Sequence, residues 1–475
     1  MKTENTYDVL VIGAGITGLT TALYVQRAGL RVAILEQASR VGGQIQTKRA
    51  DGFVCECGPN TGVLSYPEIK ELFQDISLDV QVATEANKIR HVWKKNRFYP
   101  LPSSLYQAVT TPLFTWKDKF RILGEPWRKP SNNPDESVGD LVARRLGQSY
   151  LDNAVDPFIS GIYAGDVHRL VTRYALPKLY ALEANHGSFI RGAIAKHKET
   201  KTQRDKLATK EVFSVRGGLQ TLTDRLGEQI GAENVFLGVS DAVVHPIIHE
   251  NGVENWEITG IQNGTRQVWQ AARVVTTVGA YNLSSLLPFV PHMYMQRINN
   301  VRYAPVTLAS VSLTHLDKKK HRSFIRTVQA FGSLVPSHAQ CPILGILYPS
   351  SCFDDRCPAG TTTNALLSFF IGGIRYPDVA DWTSTKIDEV VREGLYGMLH
   401  MPEDITYSIK NIAAHKHAIP QYEITSGERF QAIDAVEQEY PGLTIAGNLR
   451  DGIGLGDRIR QGRQVAEKIK SSFSF

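Results

Sequence analysis

The first run of apolar positions, YDVLVI at 7–12, is β-branched and unbroken, the pattern of a strand buried on both faces. A helical spacing follows, with Leu19 and Leu23 on one face and Gly29 where a C-cap belongs. A second apolar run, RVAILE, occupies 31–36, so the segment predicts a strand–helix–strand unit. Residues 88–101, KIRHVWKKNRFYPL, predict a hairpin turning at Lys94-Lys95-Asn96. From Ser103 to about Ala195 the spacing is helical. Thr115 and Asp118 have the separation of a capping box, and Trp116, Phe120 and Leu123 then fall on one face before Pro126 stops the helix. That stripe is read as core packing, and its functional alternative is an amphipathic surface helix that touches lipid. Ser137 and Asp140 open another helix, closed by Gly147, and a third apolar helical stretch leads to 156–166. Residues 196–210 carry six positive and two negative charges and read as a solvated link.

Strand character resumes at 212–215, turns at Arg216-Gly217-Gly218 and passes into a helix. Residues 234–280 alternate apolar with polar. Within 300–415 the run ALLSFF (365–370) and a helical segment near 386–400 predict a second αβ unit, with Lys318-Lys319-Lys320-His321-Arg322 as an exposed hairpin tip. A strand at 443–448 ends in a glycine turn, and Gly452-Ile453-Gly454-Leu455-Gly456-Asp457 leads into a last helix. The 475 residues suit about three domains, and a hydrophobic fraction of 42% excludes global disorder. A net charge of +6, spread along the chain, gives no case for nucleic acid and is compatible with an anionic small molecule or an anionic membrane surface. Five cysteines (Cys55, Cys57, Cys341, Cys352, Cys357) exclude a disulfide scaffold and point to a reducing compartment. The N-terminus has no signal or transit pattern and no window approaches about 20 apolar residues, so a cytoplasmic protein is expected, with any membrane contact peripheral.

Chemistry enters at Gly13-Ala14-Gly15-Ile16-Thr17-Gly18, a G-x-G-x-x-G lying between the first strand and its helix. Gly13 permits the tight turn, Gly15 lets the backbone approach a pyrophosphate at the helix N-terminus, and Gly18 lets helix and sheet pack closely. Glu36, ending the second strand, is placed to accept hydrogen bonds from ribose hydroxyls and would repel a 2′-phosphate. Strand, turn, helix, strand and acid fall in register, which makes a dinucleotide site. Cys55 and Cys57 share strand parity and read as small half-buried hydrophobes, since no His or Cys partner has zinc-like spacing. No metal site and no acid–base residue stand out.

The choice of dinucleotide comes from the next residues. Arg40-Val41-Gly42-Gly43, followed by Thr47, resembles the R-x-G-G-x-x-x-[ST] extension of the FAD-dependent amine oxidase-like superfamily. Across nearly the whole chain the sequence is similar to the protoporphyrinogen oxidase family of that superfamily. The stretches that carry the likeness are Pro134-Asp135-Glu136-Ser137-Val138, Arg144-Arg145-Leu146-Gly147, residues 160–166 (SGIYAGD), Val215-Arg216-Gly217-Gly218-Leu219, Leu334-Val335-Pro336-Ser337 and Ile419-Pro420-Gln421-Tyr422.

The resemblance implies an α/β (α+β) fold. A discontinuous Rossmann-like FAD-binding domain (1–87, 206–295 and 416–475) would accompany an αβ substrate domain (88–104 and 296–415) and a helical, membrane-associated domain (105–205). It implies FAD contacts at Gly13, Gly15, Ile16, Thr17, Gly18, Glu36, Gln37, Arg40, Gly42, Gly43, Gly58, Pro59, Asn60, Val244, Gly447, Ile453, Gly454 and Leu455. Gly161, Leu334 and Phe370 would line the substrate. Tyr106 stands where the family's animal and plant members have a propionate-holding arginine. The implied activity is oxidation of protoporphyrinogen IX to protoporphyrin IX in haem biosynthesis, by three two-electron hydride transfers to FAD, with molecular oxygen as acceptor and hydrogen peroxide released. Coproporphyrinogen III oxidation to coproporphyrin III, a flavin amine oxidase or carotenoid desaturase, and a non-catalytic FAD-binding protein are the alternatives. The apolar lining favours the divinyl substrate over the tetra-acid, because each unpaired buried carboxylate costs several kcal/mol.

Overall fold

The computed structural model describes residues 5–250 and 252–473; residues 1–4, with which the N-terminal reading began, lie outside them. The strand Thr6–Ile12 sits in the middle of a seven-stranded sheet. Val32–Leu35 and Thr265–Thr276 flank it in parallel, and Val235–Phe236 extends one edge. Leu443–Ile445 joins the end of Thr265–Thr276 in parallel, so both ends of the chain build one layer. Ser240–His249 and Gly252–Gln262 continue as an antiparallel meander. The unbroken apolar run works because both faces are covered. Val9 and Val11 meet Leu19, Phe73 and Leu222, while Leu10 and Ile12 meet Trp256, Trp269 and Ile433.

Helices Ile16–Arg27 and Leu455–Ser472 pack in parallel, with Thr17 Oγ1 3.3 Å from Arg458 O and Thr21 Oγ1 3.3 Å from Gly462 O. A Cβ on Gly462 would come within 2.7 Å of Thr17 O, so glycine is required for this approach.

The second sheet runs, edge to edge, through Thr406–Pro420, Tyr303–Thr314, Ala365–Gly372, Ile343–Leu347, Gly332–Leu334, Arg90–Lys94 and Arg97–Pro100. One face is buried under the helices Arg322–Val328 and Ser384–Arg392 through Val311, Ile346, Phe369 and Ile371. On the other face Val92, Leu334, Gly345 and Phe370 stand in register across four strands. The predicted hairpin is present, with Lys95 and Asn96 at positive φ as a two-residue turn demands. The expected boundaries at 295/296 and 415/416 lie within elements. The first falls inside the helix His292–Asn299, and the second inside Thr406–Pro420, which stays paired with Tyr303–Thr314 through Pro420.

The helical segment is tied by buried charge. Arg145 is fully buried between Glu125 (3.2 Å) and Glu183, and Arg144 bridges Glu136 (2.6 Å) and Glu183 (2.9 Å). Glu125 also accepts from Ser188 Oγ (2.5 Å) and from the backbone N–H of Phe189 (2.9 Å), capping the helix Phe189–Lys198. The capping box at Thr115 forms as predicted, but the stripe behind it does not pack inward. Trp116, Phe120 and Leu123 are 62%, 65% and 64% exposed, against the core reading. The polar side makes the inward contacts instead: Lys119 Nζ donates to the carbonyls of Val109 (2.6 Å) and Thr111 (2.8 Å), and Arg121 donates to Ala143 O (3.3 Å). Residues 318–322 are likewise not a hairpin tip. Asp317 Oδ1 accepts from the backbone of Lys319 (2.7 Å) and Lys320 (3.1 Å), which turns the chain into Arg322–Val328 and buries His321.

Candidate functional site

Gly13 takes φ +103 and donates to Leu35 O at 2.8 Å, closing the tight turn. A Cβ on Gly18 would lie 2.0 Å from Gly13 O, whereas nothing lies within 4 Å of the Cβ position of Gly15. Gly13 and Gly18 are therefore needed for the turn and its packing, and the open side of Gly15 leaves room for a ligand. Gly42 N donates to Ala14 O at 2.8 Å, and a Cβ on Gly43 would be 3.3 Å from Gly15 Cα. Glu36 closes the mouth of the turn. Its Oε2 accepts from Ala14 N (2.7 Å) and its Oε1 from Ala38 N (2.8 Å), with lone pairs left for hydroxyl donors. Gln37 is exposed at the rim.

The C-terminal end completes the cradle. The last helix begins at Leu455 after Gly454, and Asp457 accepts from Gly454 N at 3.0 Å. Because it runs parallel to Ile16–Arg27, the starts of both helices, Ile16 and Thr17 in one and Ile453 to Leu455 in the other, sit on the same side. Gly447, at φ +94, donates to Gln461 Oε1 at 2.8 Å. Arg458 and Arg429 brace the intervening loop through Arg450 O (2.8 Å) and Leu449 O (3.1 Å). Neither guanidinium has an ion-pair partner among the described residues, and burial lowers the pKa of each. Arg458, in the first turn of the last helix, thus adds buried positive charge near that helix start, a setting for a diphosphate.

Gly58 and Gln44 are in backbone contact, and a Cβ on Gly58 would lie 2.1 Å from Gln44 O. Pro59 and Asn60 follow. Asn60 is buried, its Nδ2 donates to Gly58 O at 3.2 Å, and its Oδ1 has no protein partner. The second lobe reaches this loop through His415 Nε2, 2.6 Å from Cys57 O, and through His417 O, which accepts from Gln44 Nε2 at 3.1 Å. An orphaned buried acceptor, the open side of Gly15, the Glu36 carboxylate and the paired helix starts all fit FAD.

Two expected contacts are placed elsewhere. Val244 is buried in the apolar core beneath the meander; the backbone beside Glu36 belongs to Phe236 and Val239, each in a 2.9 Å hydrogen bond with it. A register shift between Ser240 and Val243 moves the strand on. Arg40 spends its donors on the loop itself, on the carbonyls of Val41 (3.0 Å), Ile45 (3.0 Å) and Gly43 (2.7 Å), and so shapes the loop. Glu56, unremarked in the sequence, is buried between Leu219 N (2.8 Å) and Thr47 Oγ1 (2.7 Å), and burial pushes its carboxyl up to about 7.

Against the second sheet Gly161, within the helix Asp156–Tyr163, abuts Leu334: a Cβ would come within 2.6 Å of Leu334 Cδ2. Gly345 separates Leu334 from Phe370, leaving an apolar wall with a shallow middle. Gln421 fixes the helix end by donating to Tyr163 O at 2.9 Å, and its buried Oε1 is without a partner. Tyr106 does not join this wall; it lies 78% exposed on Leu105–Thr110. Lys94 is committed to Leu113 O (2.5 Å), and Arg97 lies over the Tyr99 ring at an exposed turn. Arg375, which nothing in the local sequence singles out, stands beside Ser160.

Fold and site define an FAD-dependent oxidoreductase. The family model for flavin containing amine oxidoreductases matches residues 16–470, and the chain belongs to that family. It is 29% identical over 489 residues to protoporphyrinogen oxidase 2, chloroplastic/mitochondrial, of Arabidopsis thaliana, covering 98% of this chain and 94% of that one. It is 25% identical over 497 residues to coproporphyrinogen III oxidase of Bacillus subtilis (strain 168), covering 98% of each. A crystal structure from Exiguobacterium sp. 255-15, which carries a provisional protoporphyrinogen oxidase assignment, superposes with a TM-score of 0.75 at 20% identity over 99% of both chains.

Proposed function

We propose that the protein oxidises protoporphyrinogen IX to protoporphyrin IX in haem biosynthesis. The observation that carries this reading is the apolar wall of Leu334, Gly345 and Phe370 with Gly161 set against it, next to the lobe contact at Cys57 and Gln44. Bound FAD supplies the two-electron acceptor, and molecular oxygen is the terminal oxidant. The chain's own residues orient and enclose. The wall takes a broad flat ring, Gly161 lets its helix close on Leu334 at the wall's edge, and the sheet behind excludes water. Relatives named for protoporphyrinogen and for coproporphyrinogen oxidation both span nearly the whole chain, which supports a porphyrinogen over an amine.

Coproporphyrinogen III is the second reading, favoured by the Bacillus relative. The uncharged wall weighs against four propionates. Side-by-side kcat/KM values decide between them: a tenfold preference for protoporphyrinogen is expected, and a tenfold preference for coproporphyrinogen, about 1.4 kcal/mol, overturns the choice. We also take the exposed Trp116, Phe120 and Leu123 stripe, with Trp127 and Tyr106 nearby in sequence and equally open, as a peripheral membrane contact at the cytoplasmic face. No helix among the described residues is long and apolar enough to cross a membrane. The three-domain division stays part of this reading, with 1–87, 206–295 and 416–475 for the cofactor, 88–104 and 296–415 for the substrate, and 105–205 helical.

A further inference from the structure

Just beyond the strand Ala365–Gly372 the chain is pinned on two sides. Gly373 N donates to Pro305 O and Ile374 N to Ala164 O, each at 2.8 Å. Arg375 follows, half-buried at the seam between the helix Asp156–Tyr163 and the turn after Leu334. One of its nitrogens donates to Ser337 O, and another lies 3.5 Å from Ser160 Oγ. Ser160 immediately precedes Gly161, and Ser337 comes three residues after Leu334, so the guanidinium borders the apolar wall at its polar end. Asp156 is an acid at this seam, and it accepts from Ser337 N at 2.7 Å. Arg375 has no ion-pair partner among the described residues. A guanidinium carries five donors, and two neutral oxygens leave most of them free. A partly buried cation without a counter-charge is costly until an anion arrives.

We propose that Arg375 is the carboxylate anchor of the substrate pocket, gripping a propionate of the ring held against Leu334 and Phe370. This rests on the porphyrinogen reading. The planar fork suits a carboxylate bidentately, which an ammonium cannot match. Other basic residues on the hairpin beside the wall are committed, Arg90 to the Phe331 ring and Asn87, Lys94 to a carbonyl and Arg97 to an aromatic face. Anchoring at this end sets the ring's direction, with propionates toward Ser160 and Ser337 and vinyl groups along the apolar strands.

The test compares protoporphyrinogen IX with its dimethyl ester, using wild type, Arg375→Leu and Arg375→Lys, with FAD content and Tm measured on each preparation. The acid-over-ester ratio of kcat/KM is expected to fall at least tenfold in Arg375→Leu, chiefly through KM, and to be intermediate in Arg375→Lys. A brace between helix and turn would lower both substrates together, so an unchanged ratio overturns the anchor. Should Arg375→Leu not fold, Arg375→Lys alone decides by the same ratio. Wild type that oxidises neither substrate defeats the proposed function, and this inference with it, without recourse to any variant.

Discussion

A side chain at Gly15 would project into open space, since no protein atom lies within 4 Å of its Cβ position. Gly15→Val is therefore expected to fold normally and to purify without FAD, because its methyls fill the room left for the pyrophosphate. Flavin absorbance per protein, read beside an unchanged Tm, checks this; full flavin in the variant contradicts the site. Glu56 gives a pH signature. Folded, its carboxyl keeps its proton up to about 7, because burial penalises the charge; the ordinary value is 4.5. Between those values the folded state holds more protons than the unfolded state. Its contribution to stability is thus full below about 4.5 and is lost as pH rises through about 7. Glu56→Gln is expected to flatten the fall of Tm between pH 5 and 8, and a slope equal to wild type contradicts this origin. Gly13 and Gly18 were legible because each answers to a backbone need that a side chain would block, and Glu36 because it ends the strand beside their turn. Val244 was not, because a strand irregularity two residues long decides which valine approaches Glu36.

At the scale of elements, the helix Trp116–Leu123 reverses the usual inference from amphipathicity. A spacing pattern tells that two faces differ, and only the neighbours tell which face finds protein. Here Lys119 and Arg121 find carbonyls while the aromatic face finds none. Replacing Trp116 and Phe120 with Ser is expected to move protein from pelleted anionic vesicles to the supernatant with Tm shifted by no more than a degree or two, as exposed substitutions usually cost under about 0.5 kcal/mol. A collapse in Tm contradicts the exposed stripe. The neighbouring charge cluster behaves oppositely. Glu125→Ala leaves Arg145 buried without one of its two acids and takes the acceptor from Phe189 N and Ile190 N, so a loss of about 3–5 kcal/mol is expected by denaturant unfolding. A loss below 1 kcal/mol would show that the network is dispensable. The double arginine at 144–145 was visible as a family stretch, but its purpose was not, since its acids lie up to 39 residues away.

Over the whole molecule, motifs at the two ends of the chain announced a cofactor lobe built from both. The parallel pairing of Leu443–Ile445 with Thr265–Thr276 and the helix pair at Thr17 and Arg458 make that lobe. The second sheet was legible only as strand content. Its order depends on the pairing of Gly332–Leu334 with Arg90–Lys94, some 240 residues apart, which alternation along the chain does not encode. The wall that this order creates, and the Arg375 beside it, appear only when those distant segments meet. The central claim is that this wall presents a porphyrinogen to the cofactor held in the first lobe. Anaerobic mixing of the purified yellow protein with protoporphyrinogen IX tests it most directly. Rapid loss of flavin colour with appearance of porphyrin absorbance is expected, and no bleaching by primary amines. Flavin that stays oxidised with the porphyrinogen, or that bleaches with an amine instead, contradicts it.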